Sequence, residues 1–342
     1  MFGGAGPRRR TIPVLLPAVC AIAAALSVCP LAAHPTNAAK NVLIIRGESP
    51  ELPASRVLID GIESALRTSQ ADPPEFYLEA IDTPALTSPE TYEPRLTSLL
   101  EEKYRDTPLD LVVAFTEPAV RFVLRERARL FPNAPVLLGL VDRRLIDPST
   151  LPSEAALVSV DVDAATTLRL ALAVHPGMRR VFVASGSSRF DRGWLSIVRD
   201  ELRSFDNGVT ITYDANSTHE DLLKHVSALP PDTIVLYTSM TRDADGNSER
   251  PVDVLENLRA VSAAPIYGLA SSNLGHGIVG GSLLDLERHG HDMGLQAARL
   301  MAGDRPSPVT TPSLMAMDWH EMERFGIDRA ALPAECSSPT AS

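Results

Sequence analysis

The residues whose types and spacing most suggest chemistry lie in "GLASSNLGHGIVGGSLLD", residues 268–285. Gly275-His276-Gly277-Ile278-Val279-Gly280 spells G-x-G-x-x-G, the loop that cradles a dinucleotide. From Gly275 to Ser282 the same letters spell G-x-x-x-x-G-x-S, a phosphate loop with Gly281 where the lysine belongs. The first spelling works only when it follows a strand and opens a helix, so that pyrophosphate meets the helix N-terminus. Here the glycines run into a strand-like "IVGGSLLD", and the helical pattern starts only near Leu286 and stops at Gly303, with Pro306 beyond. The second lacks its cation. These glycines are therefore read as backbone devices. Gly275 and Gly277 permit a sharp turn, and Gly280 and Gly281 permit a close approach of backbone or ligand.

Catalytic signatures are missing. Neither G-x-S-x-G nor H-E-x-x-H occurs. His289 and His291 are two residues apart, which on a helix sends them to different faces, and Asp285 and Glu287 share that offset. His175 precedes Pro176 at a helix end and reads as a cap. No catalytic residue, metal or cofactor is expected, and the chain is read as a non-enzyme.

The elements that must position any site follow a rhythm. The chain has 342 residues, a length that suggests about two domains. At 44% hydrophobic and 22% charged it has globular composition. Aromatics are only 5%, and Pro (28) outnumbers Gly (20), which suits helices and strands joined by proline-punctuated loops better than an all-β fold. From Asn41, four strand-and-helix steps reach about residue 145, beginning with the buried-strand run "NVLIIRG". Thr116 is placed to cap the helix that holds Pro118 in its first turn. "IDPSTLPSEAAL", 146–157, is a loop by composition. The rhythm then restarts with "LVSVDVD", and Ser217–Glu220, "STHE", reads as a capping box. Alternation of this kind implies parallel sheets covered on both faces.

Residues 1–39 stand apart. Arg8, Arg9 and Arg10 precede the apolar "TIPVLLPAVCAIAAALSVCPLAA", and small residues follow near Ala33 and Ala39. That order is the signal for secretion, so a periplasmic location is expected; a retained anchor is the competing reading. Cys20 and Cys29 each follow a valine, against lipidation. Losing three arginines moves the net charge of −11 three units further negative, so nucleic acid is not an expected partner. Cys336 would remain alone, with no internal disulfide to form.

Several stretches resemble one family. "LGHGIVGGSLLD" with "ERHGHDMGLQAARLMAGDRP" looks like the return crossing of periplasmic binding proteins. "EFYLEAIDTPALTSPETYEPRLTSLLEEKY", "SGSSRFDRGWL", "LPPDTIVLYTSMTRDADGNSERP" and "MAMDWHEMERFGI" carry the likeness from about Asn41 to Ile327. The resemblance is to ABC-transporter substrate-binding-like proteins of the tryptophan/tyrosine-binding type. It is closest to the extracytoplasmic sensor domains of that type fused to bacterial histidine kinases. It implies a type I periplasmic binding fold: two Rossmann-like α/β lobes with parallel sheets and a hinge of several crossings, expected near 146–157, 271–277 and 303–313. The implied division is 40–150 plus 276–303 for the first lobe, 151–275 plus 309–328 for the second, and 329–342 as a polar tail. Gly275, Gly277, Gly280 and Gly281 would be hinge residues. The chain ends soon after Ile327, so a free-standing exported protein is expected rather than a kinase in cis.

Ligands of open parallel sheets gather at the carboxyl ends of strands. In the first lobe those ends offer Glu48, Ser49, Thr116, Glu117 and Asp142. In the second they offer Ser187, Ser188, Phe190, Asp191, Tyr237, Ser239, Ser271 and Asn273. Ser187 and Ser188 read equally as helix caps or as part of an anion site, Phe190 and Tyr237 as walls for a flat ligand or as core, and the carboxylates as amine acceptors or solvated charges. The expected ligand is a small polar molecule, an amino acid or small carboxylate. The expected role is transport through a membrane permease, with a sensor subunit for a membrane histidine kinase or an exported enzyme as alternatives. A monomer is expected.

Overall fold

In this computed structural model the described residues are 1–4, 6, 39–47, 52–70, 72–81, 89–203, 205, 208–305, 307–332 and 336. The expected export signal falls almost wholly outside them. Met1–Asn37 is a unit of its own, and Ala38–Ser342 is a second. Among the described residues no helix is long and apolar enough to cross a membrane.

The first sheet is built from β1 (Asn41–Arg46), β2 (Glu75–Ala80), β3 (Leu111–Phe115), β4 (Val136–Asp142), β5 (Ala155–Val160) and β11 (Val309–Thr311). Its order is β11-β5-β4-β3-β1-β2, and every pairing is parallel. The apolar runs of the sequence are what such strands require, because both faces are covered. All five residues of β3 are buried, as are Val42 to Ile45 of β1. The covering helices are α1 (Pro53–Ser69), α2 (Pro89–Tyr104) and α3 (Glu117–Leu130).

The second sheet contains β6 (Arg180–Ala184), β7 (Thr210–Asp214), β8 (Thr233–Tyr237) and β9 (Ile266–Tyr267), in the order β7-β6-β8-β9. Backbone bonds carry it on to β10 (Gly280–Leu283): Val279 N–H donates to Ile266 O, and Leu284 N–H donates to Leu269 O. β10 then pairs antiparallel with β12 (Leu314–Met317). Its helices are α4 (Ala164–Val174), α5 (Arg189–Leu202), α6 (His219–Ser227), α7 (Pro251–Val261) and α9 (Trp319–Arg324). Both sheets thus place their first five strands in the order 2-1-3-4-5 and take a sixth late in the chain. The expected α/β architecture of two parallel-sheet lobes is the one observed.

The lobes exchange helices. α4 follows β5 of the first sheet but packs on β10, β9 and α5 of the second lobe. α8 (Leu286–Met301) follows β10 but lies along α1 and over β4 and β5 of the first. The chain therefore crosses between lobes at 161–163, 284–285 and 312–313. The third crossing lies inside the expected 303–313, whereas the first two are displaced from 146–157 and 271–277. Strand 155–160, assigned to the second lobe on the sequence, pairs with β4 through Val136↔Ala155 and belongs to the first sheet. Strand 309–311 joins the same sheet through Val309↔Val158. Composition located a loop at 146–154, but residues 155–157 of the expected loop are already β5, and composition carries no record of which sheet a loop returns to. This one holds a turn of 3₁₀ helix, Pro148–Thr150, and comes straight back.

Two smaller readings also move. α6 is capped by Thr218, whose hydroxyl accepts Asp221 N–H, while Ser217 bonds the Asp214 carboxylate. The tail is not wholly polar in its surroundings, since Leu332 and Cys336 pack against the core of the second lobe.

Candidate functional site

The carboxyl ends of both sheets face one cavity of about 80 Å³. The first lobe lines it with Leu52, Pro53 and Ala54 at the start of α1 and with Leu140 of β4. The second lobe supplies Phe190 and Trp194 from α5, Pro251 and Val252 from the start of α7, and the segments after β8 and β9. Among the described lining residues none is ionisable. The polar ones are Thr238, Ser239, Ser272 and Asn273, all from the second lobe. Helices α1 and α7 both begin with proline and lack a side-chain cap, and the residues that open each of them line the cavity. The arrangement suits a molecule with an apolar body and a few hydrogen-bonding groups. Among the described residues, no group of three His, Cys, Asp or Glu is placed to hold a metal ion.

Of the residues proposed from sequence, Phe190, Ser239 and Asn273 line this cavity. Ser271 sits at its edge, where its hydroxyl accepts Leu286 N–H at 3.2 Å. Glu48 and Ser49 lie outside the described residues. The others do not line it: Glu117 and Asp142 line a smaller adjoining cavity, and Thr116, Asp142, Ser187, Ser188, Asp191 and Tyr237 hydrogen-bond within the protein. Tyr237 is core: fully buried, it donates to Pro251 O at 2.8 Å, and burial pushes its pKa well up. Ser188 caps α5 in a reciprocal box with Asp191, and Thr241 N–H and hydroxyl also donate to that carboxylate. The hydroxyl of Ser187 donates to Asp243 O. Capping thus accounts for the "SGSSRFD" stretch.

In the first lobe, Thr116 stands at the cap position of α3 but does not cap it. Its backbone has φ +68°, and its hydroxyl accepts Gly47 N–H at 3.2 Å. Asp142 is 3% exposed. Burial pushes its pKa up, but the Arg144 guanidinium and the N–H groups of Val162 and Arg144 outweigh burial and hold it below the ordinary value. Both carboxylate oxygens bind Arg144 at 2.7 Å. Glu117 lines an adjoining cavity of about 30 Å³ with Arg189, Leu140, Phe190 and Trp194.

The four glycines all have φ in the left-handed range, from +81° at Gly275 to +155° at Gly281. They lie ahead of the crossing at 284–285, inside the second lobe. Gly275 N–H donates to Asp318 at 2.8 Å. A Cβ on Gly280 would stand 2.3 Å from Ala316 O, and one on Gly281 would stand 2.6 Å from Gly268 O. Close backbone approach is therefore the physical reason for this pair, and neither nucleotide spelling has its helix.

Sequence reasoning missed Leu52, Ala54, Leu140 and Trp194. Trp194 was legible as an apolar position on α5. Nothing in the local pattern distinguishes Leu140 from its neighbours in "APVLLGLV".

No family model matches the chain, and no curated protein matches it. Solved structures do. An ABC domain in complex with L-Trp from Streptococcus pneumonia aligns at TM-score 0.63 and 14% identity, over 87% of this chain and 100% of that one. A ligand-free, open substrate binding protein with adhesive properties from Clostridium difficile aligns at TM-score 0.59 and 14% identity, over 88% and 100%. A LacI family transcriptional regulator from Bifidobacterium animalis aligns at TM-score 0.55 and 14% identity, over 88% and 98%. These likenesses concern architecture, which is shared by binding proteins and regulators alike. With its two lobes, three crossings and exchanged helices, the chain has the type I periplasmic binding fold.

Proposed function

We propose that this protein is an exported solute-binding protein that closes two lobes over one small molecule and presents it to a membrane permease. The observation that carries the reading is the cavity at the carboxyl ends of both sheets, walled by both lobes. The lining refines the ligand. Its walls are apolar and its hydrogen-bonding side chains are hydroxyl and amide groups, so the ligand has a large apolar part and a small polar end. An amino acid with a bulky apolar side chain fits that description. The polar end would face Thr238, Ser239, Ser272 and Asn273, with the first lobe closing over the apolar part.

The test is thermal unfolding of the chain from Lys40 onward against amino acids, small carboxylates, sugars and nucleotides. A ligand at about 100 times its Kd adds about 2.7 kcal/mol of stability, enough to raise Tm by several degrees. Stabilisation confined to one apolar class, with the compound recovered unchanged, is the expected result. Turnover of that compound would replace this reading with an enzyme, and a flat panel would remove it.

A further inference from the structure

α8 carries His289 into the first lobe on the stripe that also bears Leu286, Met293, Ala297 and Leu300. The imidazole is 1% exposed. Its Nε2 accepts Leu140 N–H at 2.8 Å. A ring nitrogen that accepts carries no hydrogen, so the proton of the neutral ring sits on Nδ1. Nδ1–H then donates to Thr311 Oγ1 at 2.9 Å, and the Thr311 hydroxyl donates to the Asp292 carboxylate at 3.0 Å. The direction of every bond in this line, Leu140 to His289 to Thr311 to Asp292, is thereby set.

Leu140 is the unusual end of the line. Its φ is +48°, a region that residues with a Cβ seldom occupy because of steric strain. The register of β4 on β5 slips between Gly139 and Asp142, which makes a bulge there. A bulge takes a residue out of the ladder and re-aims its side chain. His289 supplies the acceptor for the N–H at this bulge. Met293, one turn further along α8, presses on the same bulge: a Cβ on Gly139 would stand 2.3 Å from it. The outcome is that Leu140 turns to the junction of the lobes, packs there with Leu284 and Leu286, and lines both cavities together with Trp194. The line also borders two crossings. α8 begins directly after 284–285, and Thr311 directly precedes 312–313.

We propose that His289 is a positioning residue of the cleft: it holds the β4 bulge that presents Leu140 to the bound molecule, and it ties that wall to two of the three crossings. That Leu140 meets a bound molecule rests on the solute-binding reading. The positioning itself is measurable without any ligand.

The chain has two tryptophans, so a Trp319→Phe background leaves Trp194 as the sole reporter of the wall. In that background His289→Leu removes both ring partners, and His289→Gln keeps one acceptor and one donor. Thr311→Val breaks only the far end and serves if His289→Leu does not fold. Val123→Ala, in the core on the other face of the sheet, controls for lost stability. The expected result for His289→Leu is red-shifted Trp194 emission, greater acrylamide quenching and roughly tenfold faster exchange of the Leu140 amide, the size set by an unsatisfied buried N–H. Thr311→Val should move the same readouts in the same direction, His289→Gln should restore most of them, and Val123→Ala should lower Tm without moving them. If His289→Leu and Thr311→Val behave like Val123→Ala, His289 is a core residue only and the proposal falls. A flat ligand panel would leave these readouts intact, so the two readings fail separately.

Discussion

Arg189, the first residue of α5 in the second lobe, lies 3.6 Å from Glu93 on α2 of the first lobe. The same guanidinium is 4.0 Å from Glu117 at the start of α3. Both contacts cross the cleft beside the smaller cavity. They are partly exposed, so each is worth about 0–1 kcal/mol and is screened by salt. Arg189→Glu turns both attractions into repulsions. The expected outcome is a larger radius of gyration by small-angle scattering at low salt, with the difference shrinking at high salt. An unchanged radius at low salt would show that these charges do not hold the lobes together.

Asp142 and Arg144 clamp the first crossing. Asp142 accepts Val162 N–H at 2.9 Å, Arg144 donates to Val162 O at 2.9 Å, and Arg144 reaches Glu201 of α5 at 3.2 Å. Asp142→Ala leaves the N–H groups of Val162 and Arg144 without their carboxylate acceptor and leaves the Arg144 guanidinium with Glu201 and Val162 O. A loss of about 2–4 kcal/mol is expected, read as a fall in the urea midpoint. A loss under about 0.5 kcal/mol would mean that water replaces the carboxylate freely.

Acid should destabilise the fold through two of these groups. Burial lowers the His289 pKa to about 3, against an unfolded value near 6.5. Between those values the unfolded chain binds a proton that the folded chain refuses, so stability falls as pH drops, by up to about 1.4 kcal/mol per pH unit. Asp142, with its lowered pKa, contributes stability present above its unfolded value and lost as pH falls below it. Glu201, raised by burial, works in the opposite sense. Urea unfolding from pH 7 to pH 4 should show the slope, and His289→Gln should flatten it. An equal slope in that variant would assign the acid sensitivity elsewhere.

Gly281 should tolerate substitution less well than Gly277. A Cβ at Gly281 meets the backbone oxygen of Gly268, which cannot move without breaking the β9–β10 junction. At Gly277 the nearest atoms belong to the flexible Arg259 side chain, although its φ of +117° still penalises a Cβ. Thermal unfolding should place Gly281→Ala below Gly277→Ala, with about 2 kcal/mol or more lost at Gly281. The reverse order would show that the Gly268 backbone contact does not decide the cost.

The sequence by itself determined what local patterning can determine. Strands buried on both faces must read as apolar runs, so "NVLIIRG" and "LDLVVAFT" were legible as parallel strands. Helix starts were legible to within a residue, as Ser188 and Thr218 show, because a cap acts over three residues. What the tertiary structure decided is everything that joins distant segments. Val309 pairs with Val158 across about 150 residues, and no feature of "LVSVDVD" states which sheet it enters. The carboxylates at strand ends looked free to meet a ligand, yet Asp142 and Asp191 are used by Arg144, Val162 and Thr241. Leu140 became a cavity wall because a bulge, a close-packed Met293 and a buried imidazole from a helix 149 residues further along the chain converge on it. Spacing along a chain encodes the face a side chain takes on its own element. Only packing between elements selects which of those faces a ligand can reach.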